Sequence, residues 1–217
     1  MNDLATRIDE MIEEKSLLKH PFYQAWTMGS LPVESLRDYA SQYYHFEKAY
    51  PMFLSGLHYR CSDQHIRQLL LDNLWDEEHG DENHVELWLR FCDALGLDRD
   101  EIRRGEPNAA TEELLATYRE LTSDSSLAAG ASALYAYESQ VPAVAKEKIR
   151  GLREFYGIDD HRSVEFFSVH QTMDEAHSNA ERDMVLTLAA TDEDDADSLE
   201  AVDRSSDALW RFLDGVY

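Results

Sequence analysis

Six side chains in this 217-residue sequence are of types, and at spacings, that suit metal binding. His170, Asp174 and His177 are spaced i, i+4 and i+7, which places all three on one helical stripe. Their neighbours include Phe166, Phe167 and Met173. Burying such a set unpaired costs several kcal/mol. A divalent cation removes that cost, because imidazole and carboxylate are its natural donors. The competing reading is a polar face open to solvent. Glu77 and His84 lie seven apart, about two helical turns, so one continuous helix projects both from a face that also carries Leu70, Leu74 and Trp88. A solvated acidic helix is the alternative there. Glu138 is the one charged residue between Asp124 and Lys146. In so apolar a segment it is either functional or paired with an arginine.

Together these are three carboxylates (Glu77, Glu138, Asp174) and three histidines (His84, His170, His177). Six donors suit two metal ions sharing bridging carboxylates inside a helical bundle. Two divalent cations against three carboxylates leave a near-neutral site. A single zinc needs about four ligands and would leave two donors without a use. Mixed imidazole and carboxylate sets with open positions fit iron or manganese and reaction with O2. The ferritin-like pattern differs, since it places Glu-x-x-His on two of its helices. His20, His45, His58, His65, His79 and His161 read as structural or surface residues.

Apolar residues recur at helical spacing almost throughout. A first helix is expected over about 3–18. A short one follows His20-Pro21 and ends at Gly29. A long segment from Pro32 carries Leu36, Tyr39, Tyr43, Phe46, Tyr50 and Phe53, with Pro51 expected to kink or break it. The next helix is expected over about 63–95, with Gly80 a tolerated cost or a local irregularity and Gly96 its stop. Residues 98–106 read as a loop with one short turn, and 110–121 as a helix. An Ala-rich stretch over 124–151, interrupted at Pro142, continues toward Tyr156. A helix over 159–190 has Asp159 or Asp160 as its N-cap. An acidic loop is expected over 191–198, and a last helix over 199–217. The expectation is an all-α bundle of about seven helices, forming a single domain over 1–217.

Composition narrows the function classes. The hydrophobic share of 43% supplies a core despite a net charge of −24. Nine Gly and five Pro are too few for the turns of a β-sandwich. Two Cys make neither a disulfide framework nor a Cys-rich zinc site, which suits a reduced cytoplasm. The first fifteen residues lack an apolar core, so no signal peptide is expected, and no run is long enough to span a membrane. Forty-four acidic against 20 basic residues repel phosphate backbones and anionic lipid, so neither nucleic acid nor membrane is an expected partner. Only five of the basic residues are Lys. An acidic, Lys-poor surface suits a high-salt cytoplasm; an ordinary acidic bacterial protein is the alternative.

The set Glu77-x6-His84, Glu138 and His170-x3-Asp174-x2-His177 resembles the ligand pattern of the haem-oxygenase-like dimetal oxidases. These share the helical fold of haem oxygenase, TenA and PqqC but bind no haem. Within that group the sequence is most similar to the CADD family, which supplies para-aminobenzoate for folate synthesis. The likeness covers nearly the whole chain and includes Lys19-His20-Pro21-Phe22-Tyr23, Asn73-Leu74-Trp75-Asp76-Glu77-Glu78, Asn83-His84-Val85-Glu86-Leu87-Trp88 and Tyr137-Glu138. The resemblance implies a dimetal site, Fe/Fe or Fe/Mn, that uses O2 and an external reductant. It also implies that the product's ring comes from a tyrosine of the chain itself and its amino group from a lysine, so that the protein is consumed. The tyrosine falls on Tyr23 and the lysine on Lys148. A homodimer is the candidate assembly, since dimers are common in that fold.

The residues themselves support these two assignments modestly. Lys148 lies roughly −80° around an ideal helix from Glu138, and Lys146 roughly +80°, so spacing does not choose between them. Lys can lose its proton when buried and act as an amine nucleophile, as Arg cannot. Tyr23 stands between Phe22 and Trp26, where core packing is the plain alternative. Tyr39, Tyr43 and Tyr137 are further candidates to line the pocket, carry a radical or donate a hydrogen bond. Other readings are a dimetal oxidase acting on an external amine, amino acid or fatty acid, a TenA-like thiaminase, a cofactor-free PqqC-like oxidase, and a non-enzymatic helical interaction protein. The thiaminase needs a cysteine facing the pocket, and neither Cys61 nor Cys92 is well placed for that.

Overall fold

The computed structural model describes the backbone of residues 3–217 and the side chains of residues 4–171 and 178–217. Eleven α-helices and no strand occur among the described residues, against the expected seven or so. They are α1 (Asp3–Glu14), α2 (Pro21–Thr27), α3 (Val33–Arg60), α4 (Gln64–Glu78), α5 (His84–Ala94), α6 (Arg99–Arg104), α7 (Ala109–Ser123), α8 (Leu127–Glu138), α9 (Val141–Phe155), α10 (His161–Leu188) and α11 (Asp192–Asp214), with a 3-10 turn at Leu17–Lys19. Among the described residues, no helix is long and apolar enough to cross a membrane.

The difference in number has local causes. The expected helix over 63–95 is two helices. Gly80 takes φ +85°, a conformation few L-residues tolerate, and Asn83 starts α5 afresh by accepting the Glu86 amide at 3.0 Å. The stretch after Asp98 is a true helix, because the Asp98 carboxylate caps the amides of Asp100 and Glu101. The acidic stretch expected as a loop over 191–198 is helical from Asp192 onward, with Thr191 as the N-cap. Thr191 and Asp194 form a reciprocal capping box, and four acidic residues in the first turn of α11 favour its positive dipole end. Pro51 does not break α3, which runs through it for 28 residues. Its ring nitrogen donates nothing, so the Glu47 carbonyl lacks its usual i+4 amide.

Every side chain from Ala128 to Glu138 is buried, making α8 the axis of the bundle. Its small residues let neighbours close in: a Cβ on Gly130 would stand 2.5 Å from Leu57 of α3. Helices α10 and α11 pack on α8, and α10 also packs on α5 and α9. The α5–α10 seam is aromatic, with Trp88 edge-on to Phe166 at 4.8 Å and Phe91 to Phe167 at 4.9 Å. Arg90, itself buried, closes that seam with a 2.8 Å ion pair to Glu165. The short α2 is held by its ends and its back. His20 caps it through Nδ1 (3.1 Å from the Phe22 amide) while its Nε2 lies 3.1 Å from Asp214. Trp26 of α2 sits over Gly151 of α9, where a Cβ would come within 2.4 Å of the indole nitrogen.

Candidate metal centre and adjoining cavity

Glu77 and His84 come together, though not as one helix face. Glu77 lies in the last turn of α4 and His84 begins α5, and the turn around Gly80 folds them so that Glu77 Oε2 lies 2.9 Å from His84 Nδ1. His170 comes from α10, its ring centroid 4.5 Å from that of His84. The Phe166 carbonyl, 2.7 Å from His170 Nδ1, can only accept, so that nitrogen carries the proton and the lone pair lies on Nε2. Glu138 ends α8, where its Oε1 accepts from the Tyr50 hydroxyl and, at 2.9 Å, from Asn73 Nδ2. All four groups are buried. The side chains of Asp174 and His177 lie outside the described residues.

A fifth group, an acid that the sequence reading passed over, stands among them. Glu47 of α3 is buried, and one atom from each of Glu47, His84 and His170 falls within 4.8 Å of the others. Burial pushes its carboxyl up to about 8, the Glu77 carboxylate adds to the rise, and His84, Lys148 and the Tyr43 hydroxyl draw it back. A signal for it existed: Glu47 is one helical step from Tyr43 and from Tyr50, a lone charge in an aromatic stripe. Tyr50, which anchors Glu138, was passed over as well.

Glu47, Tyr50, Glu77, Tyr137, Glu138 and His170 border one small cavity. Imidazole and carboxylate donors converging in an apolar interior fit iron or manganese. Through a wall that includes Tyr137 and His170 this cavity adjoins a second one, lined by Tyr23, Tyr39, Tyr43 and Lys148.

Of the two lysines, Lys148 lines the second cavity. Lys146 is exposed, and Lys148 is only 5% exposed. Its Nζ donates to the Tyr39 hydroxyl at 2.5 Å and lies 5.7 Å from the centre of the Tyr23 ring. Burial lowers its pKa to about 7, with Glu47 opposing the fall. An ordinary lysine is neutral in roughly one molecule in a few thousand at pH 7; at this site the neutral amine is a major form. Tyr23 and Tyr39 share a hydroxyl contact of 3.4 Å, and Tyr43 and Tyr137 share another. Burial raises the pKa of all four phenols, so they stay protonated. Cys61 and Cys92 line neither cavity.

Comparison with known proteins identifies the family. Residues 37–210 match the family model described as iron-containing redox enzyme. A 4-aminobenzoate synthase of Nitrosomonas europaea is 45% identical over 100% of this chain and 92% of its own length. Another, of Chlamydia muridarum, is 43% identical over 96% and 87%. A domain of unknown function with a heme oxygenase-like fold from Shewanella denitrificans superposes with a TM-score of 0.82 at 19% identity, covering 98% of this chain and 90% of that one, which shows the fold alone. On this evidence the chain belongs to the haem-oxygenase-like, iron-containing redox enzymes, among relatives that are 4-aminobenzoate synthases, and it is an oxidoreductase.

Proposed function

We propose that this chain is a self-sacrificing 4-aminobenzoate synthase, taking the product's ring from Tyr23 and its nitrogen from Lys148. The observation that carries this reading is the buried, readily neutral Lys148 amine 5.7 Å from the Tyr23 ring centre, in a cavity adjoining the metal donors. Tyrosine carries a carbon and an oxygen para to each other on its ring. 4-Aminobenzoate carries a carboxylate and an amine in those positions. With O2 as oxidant, the conversion therefore oxidises Cβ to the carboxylate and breaks the Cα–Cβ bond; the ring gains a bond to the Lys148 nitrogen, the Lys148 Cε–Nζ bond breaks, and the phenol oxygen leaves as water.

Glu77, His84, Glu138 and His170 would hold the metal, with Asp174 and His177 as the remaining donors assigned from sequence. When bound, an Fe/Fe or Fe/Mn pair supplies the oxidising power of O2, with an external reductant and no haem. The chain's own residues do the rest. Tyr39 accepts the Lys148 hydrogen bond and touches the Tyr23 hydroxyl, so it orients amine and phenol toward each other and is placed to pass a proton between them. The apolar walls keep the amine unprotonated and exclude bulk water. Tyr43 and Tyr137 line the path between the metal side and Tyr23 and are the candidates for carrying a radical. The cytoplasm, where reductant is available, is the proposed location, and a homodimer the proposed assembly.

Size favours an internal substrate over an external amine, amino acid or fatty acid. The Tyr23–Lys148 cavity has a volume of about 30 Å³. One water needs about 10–15 Å³, so the cavity holds two or three waters and no second organic molecule without opening. Metal-loaded protein given O2 and reductant, with no added substrate, is expected to release at most one equivalent of 4-aminobenzoate. Tyr23→Phe and Lys148→Arg are each expected to abolish that yield while keeping wild-type metal content. Unchanged yield in both variants rules the reading out.

A further inference from the structure

We infer that Glu47 is a direct metal ligand, a carboxylate from α3 that binds the same cation as His84 and His170. The inference rests on the metal centre proposed above and adds a fifth helix, α3, to the α4, α5, α8 and α10 that already supply it. Three observations carry it. First, one donor atom from each of Glu47, His84 and His170 lies within 4.8 Å of the others. Donors on one first-row ion, at bonds of about 2.0–2.2 Å, lie no more than about 4.4 Å apart, so small side-chain shifts complete the site. Second, Glu47 is 3% exposed and its Oε1 has no hydrogen-bond partner among the described residues. A buried carboxylate oxygen without a donor is costly unless a cation faces it. Third, Glu47 joins Glu77 and Glu138 as a third described carboxylate bordering one small cavity, and each of them offsets positive charge that divalent cations bring into the apolar interior.

The position of Glu47 gives the assignment a consequence. It lies on the stripe of α3 that carries Tyr39 and Tyr43, so metal binding through Glu47 ties the centre to the helix that forms one wall of the Tyr23–Lys148 cavity. Loss of this ligand is thus expected to loosen the metal and leave the lysine–tyrosine contacts in place.

Anaerobic titration of the metal-free protein with Co(II), followed by absorption and by thermal melting, tests this. Wild type is expected to take two Co(II) per chain. Glu47→Gln keeps the shape and removes the charge; it is expected to lose one ion or bind it at least about tenfold more weakly, since even groups that only orient a ligand cost about 10–100-fold. Its melting temperature without metal is expected to equal or exceed that of wild type, and the rise on adding Co(II) to be smaller. Glu47→Asp, which keeps the charge on a shorter arm, is expected to retain two ions with a shifted absorption band. If it too matches wild type in affinity and spectrum, while Glu47→Gln binds two ions as wild type does, Glu47 is no ligand and the centre of Glu77, His84, Glu138 and His170 stands without it. If wild type takes up no Co(II), both the centre and this inference fall together.

Discussion

At the residue scale the site is a contest between burial and charge. Lys148 shows the sign most clearly. Its folded pKa, about 7, lies below the unfolded value of 10.5. Between those two the unfolded chain binds more protons, so the stability of the metal-free protein rises with pH across that window, and the burial cost is fully felt below about 7. Lys148→Met is therefore expected to stabilise the metal-free protein at pH 7 by a few kcal/mol, on the order given by the shift at about 1.4 kcal/mol per unit, and the gain is expected to shrink as pH approaches 10.5. Thermal melts of both proteins from pH 6 to 10 check this; a gain that does not change with pH contradicts it. Much of this chemistry was legible in the sequence. A lone acid at Glu138 in an apolar run, and histidines on one stripe, are visible without coordinates. Glu47 was hidden by its company: between Phe46 and Lys48, in a helix rich in polar residues, nothing but its register with Tyr43 and Tyr50 marks it.

The elements carry residues that belong together yet lie far apart in the chain. Tyr23 and Lys148 are 125 positions apart, and the packing of α2 on α9 brings them into one cavity. Gly151 sets that packing, since a Cβ there meets the Trp26 indole. Gly151→Ala is expected to push α2 off α9 and destabilise the protein by about 1–3 kcal/mol, despite alanine's better helix propensity. It is also expected to lower product yield at unchanged metal content, read by elemental analysis beside a product assay. Wild-type yield would show that α2 needs no such close approach. Helix type was legible from apolar periodicity, and helix number was not. Whether Gly80 is a costly passenger or a break depends on the sign of its φ, and whether an acidic run is loop or helix depends on the cap at Thr191. Glu77 and His84 converge as expected, for a different reason: a tight turn does what two turns of one helix were expected to do.

As a whole molecule the protein combines an acidic exterior with an interior that concentrates imidazole, carboxylate, phenol and amine around one apolar axis. Composition announced both the core and the negative surface, and spacing singled out Glu77, His84, Glu138 and His170, which the fold brings into one buried region. The contents of the second cavity needed the fold, because no local pattern says which lysine turns inward. An interior this full has a consequence for stoichiometry: if the substrate is part of the chain, each molecule turns over once. The most direct test is isotopic. Protein made with ring-13C tyrosine and ε-15N lysine, loaded with metal and given O2 and unlabelled reductant, is analysed by mass spectrometry for product and for modified peptides. The expected result is 4-aminobenzoate carrying both labels, at no more than one equivalent per chain, with matching loss at Tyr23 and Lys148. Unlabelled product, or labelled product beyond one equivalent, contradicts the account.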